Sequence, residues 1–169
     1  KKGVDFHLST RDLYLALAKD VPADIEGKTV KPNPYKKWNE INPTYPDLPI
    51  IVYGPPPTSG TRDALNELGI ERGCKSYPER KKLKEKNKKL YKAECRAIRT
   101  DGPYVEAGEN DNLIIEKLKT NPNSLGIFGY SFLDENRDVV KAATVNGVLP
   151  DFELISNCLL YTSPSPRDK

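Results

Sequence analysis

The sequence predicts an α/β fold, a mixed or mainly parallel sheet flanked by helices. Two short apolar runs, residues 50–53 and 125–130, read as buried strands, helical spacing recurs between them, and residues 50–70 spell strand, stiff proline loop, helix. A chain of 169 residues, with 37% hydrophobic and 30% charged side chains, can bury a core of ordinary size without metal. It holds no apolar run long enough to span a bilayer. Residues 1–6 include neither an initiator Met nor the apolar stretch of a secretion signal, so the chain reads as starting inside a longer protein.

In chain order, Ser9 and Asp12 suit a capping box, and Leu13, Leu17 and Val21 recur at helical spacing up to Pro22, predicting a helix over residues 10–19. Residues 22–49 are rich in Pro, Asn and Lys and read as a long connector anchored by Trp38. Strand 50–53 follows, then Gly54 and three prolines, then a helix over 62–70 with Ala64, Leu65 and Leu68 on one side. A second helix is expected over 79–93, a third over 112–119 ahead of Asn121 and Pro122, and a further strand within 139–145. The last twelve residues, 158–169, shift abruptly to Ser, Pro and charge and read as a non-native tail, with Cys158 inside it, so that the domain itself covers 1–157.

The net charge of +3 hides an uneven distribution. Residues 75–92 carry eight Lys and one Arg against Glu79 and Glu85, a local +7, and leave −4 for the rest. A helix with a thin apolar line and lysines elsewhere reads most simply as a solvated face. A nucleic-acid or acidic-surface module is the competing reading, and it lacks the aromatic platform expected for single strands. With His7 as the single histidine, and no C-x-x-C spacing among Cys74, Cys95 and Cys158, neither a metal site nor a redox pair is indicated.

The chemically informative stretch is residues 53–63. The first amides of a helix lack intrahelical acceptors and sit at the positive end of its dipole, so a small oxyanion fits there. Ser59 and Thr61 add hydroxyls, Gly60 permits close approach of the backbone, and Arg62 offers a donor fork that matches a tetrahedral oxyanion. The plain alternative is that Ser59 or Thr61 merely caps the helix and Arg62 points into water. No Lys follows in the G-x-x-x-x-G-K-[ST] pattern, which disfavours nucleotide hydrolysis. Catalysis needs a positioned base or metal, and Asp101, Glu106, Glu109 and Asp111 lie in a polar loop that more simply caps a helix.

Three separated strings, YGPPPTSGTRDAL (residues 53–65), DGPYVEAGENDNLI (101–114) and NPNSLGIFGYSFL (121–133), resemble in order the phosphate-binding subunit of Pst-type ABC importers. The resemblance runs over residues 6–155. It implies one lobe plus crossover segments of a two-lobe, type 2 periplasmic-binding fold, with no cofactor and no catalytic residue. It also implies inorganic phosphate as ligand, a membrane permease as partner, a monomer when complete and an extracytoplasmic location. The family's Ser-Gly-Thr turn falls on Ser59, Gly60 and Thr61, whereas the arginine often found just before it is replaced here by residues 55–57, all proline, leaving that role to Arg62. The first-lobe donors and proton-accepting carboxylate have no counterpart in this chain, so another tetrahedral oxyanion such as sulfate stays open. An extracytoplasmic family also favours a Cys74–Cys95 disulfide around the basic helix over two buried thiols.

Overall fold

The computed structural model describes residues 5–108 and 110–149. Glu109, Cys158 and the tail at 158–169 lie outside the described residues.

Strand β1 (His7–Leu8) leads into helix α1 (Thr10–Leu17), whose start is a closed capping box: Ser9 Oγ accepts the Asp12 amide and Asp12 accepts the Ser9 amide. Strands β2 (Asp20–Pro22) and β3 (Val30–Pro32) pair antiparallel as a hairpin, and a single turn, α2 (Trp38–Ile41), follows. Strand β4 (Val52–Gly54) then delivers the chain to a continuous helical stretch composed of α3 (Gly60–Leu65), a π-helical turn (Asn66–Ile70) and α4 (Glu71–Lys75). Helices α5 (Pro78–Lys86) and α6 (Lys88–Cys95) precede strand β5 (Tyr104–Glu106), helix α7 (Asp111–Thr120) and strand β6 (Leu125–Gly126). The last described elements are α8 (Tyr130–Glu135) and β7 (Thr144–Val145).

The principal sheet has the order β5-β4-β6, with both pairings parallel. Strand β4 is its centre, where Val52 is fully buried. The main core gathers Leu13, Tyr14 and Leu17 of α1, Val52, Leu65, Ile70 and Tyr91. A smaller cluster of Ile115, Leu133 and Val140 closes the α7–α8 side. Separately, β7 pairs parallel with β1, His7 opposite Thr144, so the two ends of the described chain lie together.

Arg99, 2% exposed, ties several elements at once. Its guanidinium donates to the carbonyls of Ala16 (3.0 Å) and Tyr35 (2.8 Å) and grips Asp101 through two bonds, 2.6 and 2.9 Å. The end of α1, the stretch after β3 and the approach to β5 are thereby joined through one cation whose donors are all directed at oxygens.

Several expectations need correction. The helix predicted over 10–19 ends at Leu17, because Val21 belongs to β2. The connector 22–49 contains part of the hairpin and α2, held by an Asp24 carboxylate that accepts the amides of Glu26, Lys28 and Thr29, each at 3.0 Å. Those amide bonds favour the ionised carboxylate and depress its pKa to about 2. Trp38 is buried as expected. The helix expected over 79–93 breaks at Asn87, which ends α5 and caps α6 by accepting the Leu90 amide. The helix expected over 62–70 runs instead from Gly60 to Lys75. Of the strand expected over 125–130 only Leu125–Gly126 pairs, and within 139–145 only Thr144–Val145 does.

Candidate functional site at the carboxyl edge of the sheet

All three strands of the principal sheet point the same way, so their carboxyl ends share one edge. Past β4 come residues 55–59 and then α3, past β5 come residues 107–110 and then α7, and past β6 come residues 127–129 and then α8. Each of the three strings singled out in the sequence contains the carboxyl end of one of these strands and the loop leaving it. Segments far apart in the chain thus arrive at a single edge, the side of an open α/β sheet where ligands bind. Backbone bonds hold the arrangement: the Ala107 amide donates to Gly54 O at 2.9 Å and the Ile127 amide to Tyr53 O at 2.9 Å.

At the first of these loops Ser59 is the N-cap of α3, its Oγ accepting the Thr61 amide at 3.1 Å while its carbonyl accepts the amides of Arg62 (3.1 Å) and Asp63 (3.2 Å). Of the first four amides of this helix, only that of Gly60 lacks a partner among the described residues. Gly60 is exposed and Ser59 and Thr61 are half-buried, so the turn opens to solvent.

Arg62 does not point into water. It is 8% exposed, with Nη1 donating to Pro55 O at 3.2 Å and lying 3.7 Å from Glu106 Oε2. Its guanidinium carbon sits 5.0 Å from the centre of the Tyr104 ring, a cation–π distance. Arg62 Nε is buried and has no hydrogen-bond partner among the described residues, and one helical turn further on the same holds for Asn66 Oδ1. An unpaired guanidinium N–H beside an anion-compatible helix start is a group that a bound oxyanion, or a water, would satisfy.

Tyr104 and Glu106 were not singled out for these roles in the sequence. Tyr104 donates its hydroxyl to Pro55 O at 2.7 Å, and burial pushes that hydroxyl up to about 12, so it stays neutral. A Cβ on Gly54 would stand 2.3 Å from the Tyr104 hydroxyl oxygen, which explains a glycine at the end of β4. The acidic residues of the 101–114 string divide by role. Asp101 pairs with Arg99 and Lys36, Glu106 faces Arg62, and Asp111 opens α7 while accepting the Gly129 amide at 3.0 Å. Burial raises the Asp111 carboxyl above its ordinary range, partly offset by the Gly129 amide. Helix α7 is capped by Asn110 rather than by any of these carboxylates. Among the described residues, no cluster of His, Cys, Asp and Glu could hold a metal ion.

Cys74 and Cys95 are joined by a disulfide across 21 residues, with Cα atoms 5.5 Å apart, linking α4 to the end of α6. The seven lysines of α5 and α6 are all exposed.

No protein-family model matches the chain. Among curated proteins, SphX of Synechococcus elongatus is 30% identical over 146 residues, covering 83% of this chain and 34% of the relative. The phosphate-binding protein PstS of Staphylococcus saprophyticus is 26% identical over 110 residues, 65% of this chain and 26% of the relative. The chain therefore spans about a third or less of the curated relatives it matches. Two solved structures share its fold: a possible phosphate binding protein from Planctomyces limnophilus (TM-score 0.59, 21% identity) and PstS from Borrelia burgdorferi (TM-score 0.60, 20% identity). Each alignment covers 96% of this chain, and 46% and 50% of those chains respectively. In sequence the chain is similar to part of the curated proteins named SphX and PstS, and in fold to about half of PstS from Borrelia burgdorferi: it is PstS-like over the part that it spans.

Proposed function

We propose that the turn formed by Ser59, Gly60, Thr61 and Arg62 is one side of an inorganic phosphate site, and that the chain is part of the extracytoplasmic binding component of an ABC phosphate importer. The observation that carries the reading is the convergence of three family-like strings on one sheet edge, where the Ser59-capped helix start leaves the Gly60 amide unpaired. Arg62 supplies the positive charge, and Tyr104 and Pro55 fix its direction. Such a site binds and releases, and hands the ion to a membrane permease without chemical change. Its opposite wall comes from a second lobe, which excludes water and strengthens each donor contact by lowering the local dielectric. Equilibrium dialysis with radiolabelled phosphate tests the reading. Uptake that phosphate displaces better than chloride at equal ionic strength supports it, and uptake that follows ionic strength alone overturns it.

A further inference from the structure

The basic arm formed by α5 and α6 has no part in the anion site, and its charges sort into two kinds. Both of its arginines are engaged with carboxylates. Arg80 is buried, bonded to Gly27 O at 2.8 Å and paired with Glu94, and Arg96, just past α6, pairs with Glu71. Lys82 lies 3.5 Å from Glu79, and the Lys84 ammonium lies 6.0 Å from the Tyr91 ring. Lys81, Lys86, Lys88, Lys89 and Lys92 are exposed and have no partner among the described residues. The cations that the arm presents outward are therefore all lysines, with Glu85 the exposed acid among them, a set of mobile point charges without the planar forks that read individual carboxylates or bases.

The arm is also fixed in place. The Cys74–Cys95 disulfide, the Tyr91 hydroxyl bond to Glu71 at 2.9 Å and the Arg80 anchor hold it to α4 and to the loop after β2. Its tyrosine is turned inward, so no aromatic platform is offered to nucleic-acid bases, while Leu90 stands exposed among the lysines. Dense unpaired lysine with an apolar side chain between, on a rigid support, complements a diffuse anionic plane better than a folded acidic protein.

We propose that the α5–α6 arm is an electrostatic docking surface for an anionic lipid bilayer. The inference is independent of the phosphate site. Co-sedimentation of the chain with phosphatidylcholine vesicles, with and without phosphatidylglycerol, tests it directly. The chain should pellet with the anionic vesicles only and be released as salt rises. The variant K81Q/K86Q/K89Q/K92Q should lower the partition coefficient by more than about a hundredfold, each lysine near the surface contributing roughly five-fold. A control, K19Q/K31Q/K36Q/K119Q, removes as many exposed lysines elsewhere and should lose far less. Equal binding to neutral vesicles, equal loss in the two variants, or tighter retention on duplex DNA than on anionic vesicles at the same salt would overturn the proposal. The wild-type comparison of anionic with neutral vesicles decides it even if a variant folds poorly.

Discussion

Arg62 and Tyr104 share one acceptor: both donate to the carbonyl of Pro55, at 3.2 and 2.7 Å, while the arginine lies against the face of the tyrosine ring. The proline loop is thereby clamped between α3 and β5. Because Tyr104 still satisfies Pro55 O without it, and Arg62 Nε is unpaired, an apolar side chain of similar length should be tolerated in the fold. Arg62→Met is expected to change stability by less than about 1 kcal/mol and to weaken phosphate binding by about 1.5–3 kcal/mol, the scale of a hydrogen bond to a charged group. Urea unfolding alongside calorimetry checks both halves. Unchanged affinity would make Arg62 purely a clamp.

Gly60 separates fold from function most cleanly. An added Cβ meets nothing within 4 Å, and its backbone is ordinary, so Gly60→Ala should leave stability unchanged or raise it by up to about 1 kcal/mol. In the proposed site the same methyl group, bonded to the Cα next to the Gly60 amide nitrogen, would crowd an anion that approaches that amide. Thermal melts with phosphate-binding measurements should show a folded protein with weakened binding, and full binding would remove this amide from the site.

Arg99 and Asp101 predict a pH response. Hydrogen bonds from Arg99, then from Lys36, hold the Asp101 carboxyl well below the usual carboxylate range, against the opposing effect of burial. A depressed carboxylate contributes stability that is present above its unfolded value, about 3.9, and lost as pH falls through the lower folded value. Arg99→Ala leaves the carbonyls of Ala16 and Tyr35 short of a donor and should cost at least about 1–3 kcal/mol near neutral pH, the scale of a buried acceptor left unpaired. It should also make the acid limb of the stability curve shallower, since Lys36 alone is then left among the two cations that hold Asp101 below its unfolded value. Urea titrations across acid pH measure both, and an acid limb of unchanged slope would assign it to other carboxylates, Asp24 among them.

Reduction of Cys74–Cys95, which closes a span of 21 residues, should lower stability by about 3 kcal/mol on the chain-entropy account. Melting curves with and without a reductant measure it. A shift of less than about 1 °C would mean that the packing around α4 and α6 already confines the unfolded ensemble.

Local signals in the sequence carried the elements whose chemistry is local. Ser9 with Asp12, Ser59 ahead of Thr61 and the apolar run before Gly54 identify helix starts and a central strand because caps and strand burial are set by adjacent residues. What escaped depends on distant partners. The hairpin of β2 and β3 is written in a proline-rich stretch whose turn is organised by a single aspartate, and β5 is too short for any periodicity. Ser59, Gly60, Thr61 and Arg62 were legible as a group, yet the burial of Arg62 was not, because Tyr104 and Glu106 arrive from a strand some forty residues on. Arg99 was missed for the same reason: its carbonyl partners lie on α1 and after β3.

The central claim is that phosphate engages the Ser59-capped helix start at the carboxyl edge of the sheet. Titrating inorganic phosphate into isotope-labelled chain and following amide resonances at constant ionic strength tests it most directly, since the method registers even the weak binding expected of a site open on one side. The account predicts saturable shifts at Gly60, Thr61 and Arg62, with smaller ones at Gly108 and Gly129 on the neighbouring loops. Shifts confined to the lysines of α5 and α6, or none that exceed those caused by chloride, would contradict it.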